Sequence, residues 1–318
     1  MIDLKEELVT VFGGGGFIGR YVCESLLRAG ARVRVAQRDP RKAHFLQPLA
    51  QVGQIGFVSA DTRRRDTIAG AIRGATAVIN LPGVFGKQMW SVHVEGARNV
   101  AEVAAANGVS ALVQMSAIGA DSAGVSDYAR SKGEGEAAVR AAFPNATIIR
   151  PSLVFGPEDQ LTNRFAAMGR LPLLPVLAAA TKFQPVYVRD LAKAIAIAAS
   201  NPRAHAGKTY EIAGPQPMSM IDLHRQIFAL SGQNPDLIEL PNIAGKFLSM
   251  FGWLPGAPLT ADQWKMLQQD NVPSGRQPGL EAFGIEATPL AAVGAEWLGR
   301  FNRGGRFAGH RASATAAN

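Results

Sequence analysis

Cysteine is nearly missing from this chain. Cys23 is the one thiol in 318 residues, so no intrachain disulfide can form and no cysteine cluster can hold a metal. A lone thiol suits a reducing compartment. Aromatic residues are few, at 7%, and no stretch interleaves them with basic residues as nucleic-acid modules do. No nucleic-acid partner is expected. Long apolar runs are absent as well. The longest, Leu171–Ala180, is broken by Pro172 and Pro175. It falls far short of the roughly 20 residues that span a bilayer, so no transmembrane span is expected. Met1 to Glu7 is charged where a secretory signal would carry an apolar stretch. What remains is 47% apolar and 18% charged, which excludes a disordered, collagen-like or coiled-coil chain.

The charge that is present leans positive, with 33 basic against 25 acidic residues and a net charge of +8. Part of it lies in Arg303, Arg306 and Arg311, which have no acidic neighbour. Residues 303–318 are expected to form a disordered basic tail. Before that tail, short β-branched runs alternate with helix-like stretches. Leu8–Phe12, Val33–Ala36, Ile55–Val58, Ala77–Leu81, Ala111–Met115 and Ala146–Ile149 read as strands. Phe17–Ala29, Val92–Asn107 and Asp127–Ala142 read as the clearest helices. The alternation predicts an α/β fold, a doubly wound parallel sheet of the Rossmann type. It fades after Arg150, where prolines gather. The expected organisation is therefore a dinucleotide-binding domain over 1–153 and a smaller mixed region over 154–302.

The first strand runs into four glycines and then a helix. Gly13, Gly16 and Gly19 have the spacing of a phosphate-binding turn. Gly13 allows the tight turn, Gly16 lets a pyrophosphate approach the backbone, and Gly19 lets the helix pack close. Phe17 and Ile18 open that helix, whose free N–H groups and partial positive charge attract the anion. The end of the second strand selects the cofactor. Gln37 stands where an NAD-binding carboxylate is expected, and Arg38 follows it, with Arg41 and Lys42 close by. A guanidinium suits a 2′-phosphate, which favours NADP(H) over NAD(H). Asp39 either reaches the ribose or caps the next helix, with Pro40 at its first position. Asp61 and Thr62, at the next strand end, are expected to face the adenine. Asn80, Leu81 and Pro82 are expected to pass near the ribose.

Tyr128 and Lys132 stand four apart at the start of a helix, and so share one face. An ammonium near a phenol lowers the phenol's pKa, and such a phenol can exchange a proton with a carbonyl or alcohol. Ser116 ends the fifth strand and is a natural partner for Tyr128 in holding a substrate oxygen.

Together these residues resemble the short-chain dehydrogenase/reductase superfamily in its extended or atypical branches. The resemblance runs from about Val9 to Ile212. It includes His93-Val94-Glu95-Gly96-Ala97-Arg98-Asn99, Ile149-Arg150-Pro151 through Pro157, and Pro185-Val186-Tyr187-Val188-Arg189-Asp190. Within that superfamily the chain is similar to the reductase-like accessory subunits of respiratory complex I and their bacterial relatives. Three stretches carry this: Met115–Asp121, Tyr128–Glu136, and Phe155-Gly156-Pro157-Glu158-Asp159 followed by Asn163-Arg164-Phe165. The resemblance implies a tightly held NADPH, with Pro151 beside it, and contact with complex I subunits or another inner-membrane assembly. It implies a place in the cytoplasm, peripheral on the cytoplasmic face of the inner membrane in a bacterium, or the matrix side in a mitochondrion. Related proteins are tied to ubiquinone biosynthesis.

Three positions depart from the superfamily pattern. Phe12 precedes the first glycine in place of threonine or alanine, and His93 replaces the asparagine of a proton relay. Ala117 and Ile118 stand where the catalytic serine often falls. That pattern suits retained cofactor binding with weakened catalysis. An active reductase, epimerase or dehydratase on a small or isoprenoid carbonyl substrate stays open, as does an NADP-sensing regulator. The apolar segment Ile243–Trp253, with Lys246 its one charge, reads as core or as a surface for lipid, quinone or a partner subunit; Trp264 shares that ambiguity.

Overall fold

The computed structural model describes residues 5–250 and 259–302. The expected basic tail at 303–318 lies outside the described residues, as do Phe251 and Trp253 of the apolar segment. The contacts divide the chain into two units that interleave in sequence. The first runs up to Pro151 and adds Val188–Ile212 and Pro273–Glu286. The second has Ser152–Tyr187, Ala213–Val272 and the residues from Ala287 on. The sequence pattern places one boundary at 153. In the structure, two later segments pack with the first unit, because one supplies a helix and a strand that its sheet needs.

That sheet has seven parallel strands: β1 (Leu8–Phe12), β2 (Arg32–Gln37), β3 (Ile55–Ser59), β4 (Ala77–Asn80), β5 (Ala111–Met115), β6 (Thr147–Pro151) and β7 (Thr209–Ile212). Their spatial order is β7-β6-β5-β4-β1-β2-β3. Strands buried on both faces need continuous apolar runs, and β1, β4 and β5 supply them. Helices α1 (Phe17–Arg28), α2 (Arg65–Ile72), α3 (Ala97–Ala106), α4 (Asp127–Ala142) and α5 (Val188–Ser200) cover the sheet. One core cluster joins Phe12, Ile68, Ile72, Val78, Val100, Leu112, Val139 and Ile148, so Phe12 is a core residue. Helix α5 packs on α1, where Arg189 pairs with Glu24 at 3.0 Å. A π-helical turn, Ser91–Gly96, leads into α3.

The second unit is built of short pieces. Val154–Phe155 pairs with Val186–Tyr187, and Leu173–Val176 with Asp236–Glu239, both parallel; Lys182–Phe183 pairs antiparallel with Met218–Ser219. Its core holds Val176, Ala179, Phe183, Met220 and Ile221. The helix Asn242–Met250 turns its small residues inward. A Cβ at Gly245 would overlap the Trp264 ring, and Ser249 is buried. Ile243, Phe247 and Met250 are 76, 61 and 65% exposed, so these side chains form a surface and Trp264 is core. No helix among the described residues is long and apolar enough to cross a membrane.

Candidate functional site

The strand order reverses at β1, which lies between β4 and β2. Ligands of open parallel sheets sit at such a switch point, beyond the carboxyl ends of the strands. The turns leaving β1 and β4 are side by side there. Leu81 N–H donates to the Phe12 carbonyl at 3.2 Å, and the Pro82 ring lies 3.5 Å from where a Cβ of Gly13 would be.

The three glycines divide their work. Gly13 has φ +76°, the left-handed backbone that the tight turn requires. A Cβ on Gly19 would overlap Gly13 O and the Gly14 backbone, so Gly19 lets α1 close onto the turn. Gly16, the N-cap of α1, is exposed, and a Cβ there would meet only Gly13 O, at 3.2 Å. Packing within the protein therefore does not demand glycine at 16, whereas a phosphate lying on the backbone would. Phe17 and Ile18 follow half-buried at the helix start. Gln37 holds the loop from β2. Its Oε1 accepts from Gly15 N–H at 3.0 Å, and its Nε2 donates to Asp39 O at 2.7 Å.

Beside it, Asp39 caps the following helical turn and takes Arg41 at 3.0 Å, which holds its carboxyl below the usual range. That leaves Arg38. It is exposed, its side chain makes no hydrogen bond or ion pair among the described residues, and its charge reaches Asp61. Asp61 is bound by Arg63, chiefly through side-chain hydrogen bonds, which hold its carboxyl low. Thr62 is buried against Gly96, whose Cβ would sit 2.7 Å from Thr62 Oγ1.

At the ends of β4 and β5, two buried polar atoms have no hydrogen-bond partner among the described residues: Asn80 Oδ1 and Ser116 Oγ. Asn80 Nδ2 is satisfied by Gln114 Oε1 at 2.7 Å. A buried orphan costs roughly 1–3 kcal/mol, so two at adjoining strand ends mark where a ligand's polar groups are expected. Pro151, ending β6, accepts from Ile118 N–H at 3.0 Å.

Ser126 caps α4, accepting from Ala129 N–H at 3.0 Å, and fixes Tyr128 and Lys132 in the first turns. Lys132 Nζ lies 5.8 Å from the centre of the Tyr128 ring and 3.5 Å from where a Gly83 Cβ would be. Its ammonium is buried without a hydrogen-bond partner among the described residues, and desolvation pulls it from the usual 10.5 to about 8, against the pull of Glu136. The expected lowering of the phenol does not occur. Burial pushes Tyr128 up to about 12. His93 is no relay either. Its Nε2 accepts from Val84 N–H at 3.0 Å, so its Nδ1–H donates to Ser131 Oγ at 2.9 Å. Ser131 in turn donates to the Tyr128 carbonyl at 2.9 Å. Burial first, then Lys132, push His93 down to about 3, which keeps it neutral.

Sequence reasoning missed the ring over the phenol. Phe85 stacks on Tyr128 with centroids 4.8 Å apart and planes at 22°. It also missed Gly135, whose Cβ would overlap His93 O, so the glycine admits the π-helical turn against α4. The repeated glycines at 133 and 135 in a helix were the available signal, since glycine there costs about 1 kcal/mol unless close packing needs it.

The residues present fit a dinucleotide: an open glycine cap, an unengaged guanidinium, orphaned strand-end atoms and a buried ammonium. A model of the NAD dependent epimerase/dehydratase family matches residues 9–213. The chain belongs to this family. Relatives of this epimerase/dehydratase-family chain include NADH dehydrogenase (ubiquinone) 1 alpha subcomplex subunit 9, mitochondrial, of Rattus norvegicus. That protein is 34% identical, over 92% of this chain and 80% of the relative. The ceramide reductase of Caulobacter vibrioides is 30% identical over 91% of this chain and 88% of its own. Among solved structures, the triphenylmethane reductase of Citrobacter sp. covers 91% of this chain and 99% of its own, with a TM-score of 0.74 at 18% identity. An NADPH-dependent quinone oxidoreductase of Escherichia coli, complexed with NADPH, reaches 0.71 at 23% identity, over 91% and 99%. These two share the fold. Cys23 takes no part in the site: it is buried and its thiol is pushed up to about 12. No cluster of potential metal ligands occurs among the described residues.

Proposed function

We propose that this protein is an NADP(H)-binding accessory or assembly protein of respiratory complex I, in which the nucleotide is held as part of the structure. Gly13, Gly16, Phe17, Ile18 and Gly19 would receive the pyrophosphate, and Arg38 the 2′-phosphate. Asp61 and Thr62 would flank the adenine, Asn80, Leu81 and Pro82 the ribose, and Tyr128, Lys132 and Pro151 the nicotinamide end. The observation that carries the reading is the mismatch at the reacting end. The turn and helix cap that would receive a dinucleotide are in place, yet both ring nitrogens of His93, standing where the relay asparagine is expected, are committed within the protein. Similarity to subunit 9 of the mitochondrial enzyme along nearly the whole chain supports the partner. The site of action is then the inner membrane, peripheral on the cytoplasmic face in a bacterium or the matrix side in a mitochondrion. The exposed apolar face of Asn242–Met250 is offered to lipid, quinone or a neighbouring subunit. Gently solubilised membranes, separated by native size, test this: the protein is expected to migrate with complex I, and its deletion to lower complex I. A small soluble species and an unchanged complex I would overturn the reading.

A second reading is an active NADP-dependent reductase. A bound nicotinamide supplies hydride. Tyr128, kept protonated, would donate its proton to a carbonyl oxygen held by the unsatisfied Ser116 hydroxyl. Carbonyl-dependent oxidation of NADPH, lost in Tyr128→Phe, is its test.

A further inference from the structure

We infer that Phe85 sets the ligand class of this site: beside Tyr128 it takes a carbonyl compound flanked by alkyl or aryl groups and rejects a polyhydroxylated sugar. The inference rests on the nucleotide-binding reading above, and holds whether the ligand is turned over or only bound. Phe85 is 59% exposed, and it covers one face of the Tyr128 phenol at 4.8 Å. Anything hydrogen-bonded to that phenol therefore borders an apolar ring.

The loop carrying Phe85 is held in place. Val84 N–H is anchored to His93 Nε2 at 3.0 Å, and His93 is fixed through Ser131 to α4, the helix that carries Tyr128. This chain of hydrogen bonds ties the loop of Phe85 to the helix that carries Tyr128, so the stack is a built feature. Beyond Phe85, Gly86 turns the chain at φ +83° in open space, and Trp90, 42% exposed, presents a second aromatic surface on the same segment. Lys87 is the one charge between Leu81 and Trp90.

In the reading above the Ser116 hydroxyl is left for one carbonyl oxygen and Lys132 for the nucleotide, while the side chains of His93 and Ser131 are engaged. Both His93 nitrogens and the Ser131 hydroxyl have partners inside the protein. A sugar brought here would lose water from several hydroxyls and find an aromatic ring, at a cost of roughly 1–3 kcal/mol for each unpaired group. An alkyl or aryl ketone asks for one hydrogen bond and buries the rest of its surface.

The test uses the full chain with NADP⁺ bound, and follows acetophenone, 2-nonanone and UDP-glucose by saturation-transfer NMR and competition titration. NADP⁺ affinity is measured separately by calorimetry. The ketones are expected to bind and UDP-glucose not to. Phe85→Ala is expected to weaken the ketones about tenfold, the size of a lost apolar contact, and Phe85→Leu to restore most of that loss. NADP⁺ affinity should stay unchanged in both variants. Ketone binding that is absent, or indifferent to Phe85→Ala, would overturn the inference and leave the nucleotide reading standing, as would tight binding of UDP-glucose. Failure of the wild-type chain to bind NADP⁺ would overturn both.

Discussion

Lys132 is a cation kept where water barely reaches, and the nucleotide-free fold bears the cost. A pKa lowered from 10.5 to about 8 means that burying the charged form costs up to about 3 kcal/mol at neutral pH. Lys132→Met is therefore expected to raise the melting temperature of the nucleotide-free protein and to abolish the further rise on adding NADPH; differential scanning calorimetry reads both. His93 gives a pH signature of the same origin. Its folded pKa of about 3 lies below the ordinary 6.5, so the unfolded chain binds a proton that the folded one refuses. Its contribution is complete above about pH 6.5 and is lost as pH falls toward 3, by up to about 5 kcal/mol. His93→Asn should flatten the acid limb of stability measured by urea unfolding from pH 7 to 4. At the second strand end, Arg38→Ala is expected to weaken NADPH about tenfold or more and to leave NADH nearly untouched. Equal losses in a fluorescence titration would remove its 2′-phosphate role.

Among the elements, the glycine turn and α4 separate stability from binding. Gly19 and Gly16 belong to one motif, and the motif alone cannot tell them apart. A methyl at 19 overlaps backbone, so Gly19→Ala should destabilise by about 1–3 kcal/mol. A methyl at 16 meets a single carbonyl at 3.2 Å, so Gly16→Ala should unfold close to wild type while losing nucleotide affinity. Chemical denaturation beside a binding titration distinguishes the two. Gly135 shows the same limit. Its helix is legible from spacing, but the backbone of the π-helical turn that it admits belongs to another segment. Phe85 was illegible for a related reason: nothing local to a loop says which ring it will cover. By contrast β1 and α1 were readable, because strand periodicity and glycine spacing are local properties, while Asp39 stayed open between ribose contact and helix cap until the structure showed the cap.

For the whole molecule, the sheet unit is assembled from segments far apart in sequence. β7 pairs with β6 from Thr209↔Ile148 to Ile212↔Pro151, and α5 packs against α1. A chain ending at residue 153 would lack both, leaving the backbone of β6 and the apolar face of α1 uncovered. It is expected to be aggregated or molten by near-ultraviolet circular dichroism and gel filtration. By itself the sequence determined the parallel sheet, the glycine turn between β1 and α1, the absence of an intrachain disulfide and the pairing of Tyr128 with Lys132 on one helical face. Each follows from residue type and spacing within a short stretch. Only the tertiary structure decided the directions in which the pKa values of Tyr128, Lys132 and His93 move, the ring over the phenol, and the return of 188–212 to the sheet. Those depend on which distant atoms exclude water from a side chain, and desolvation is set by the fold around a residue and not by its neighbours in sequence.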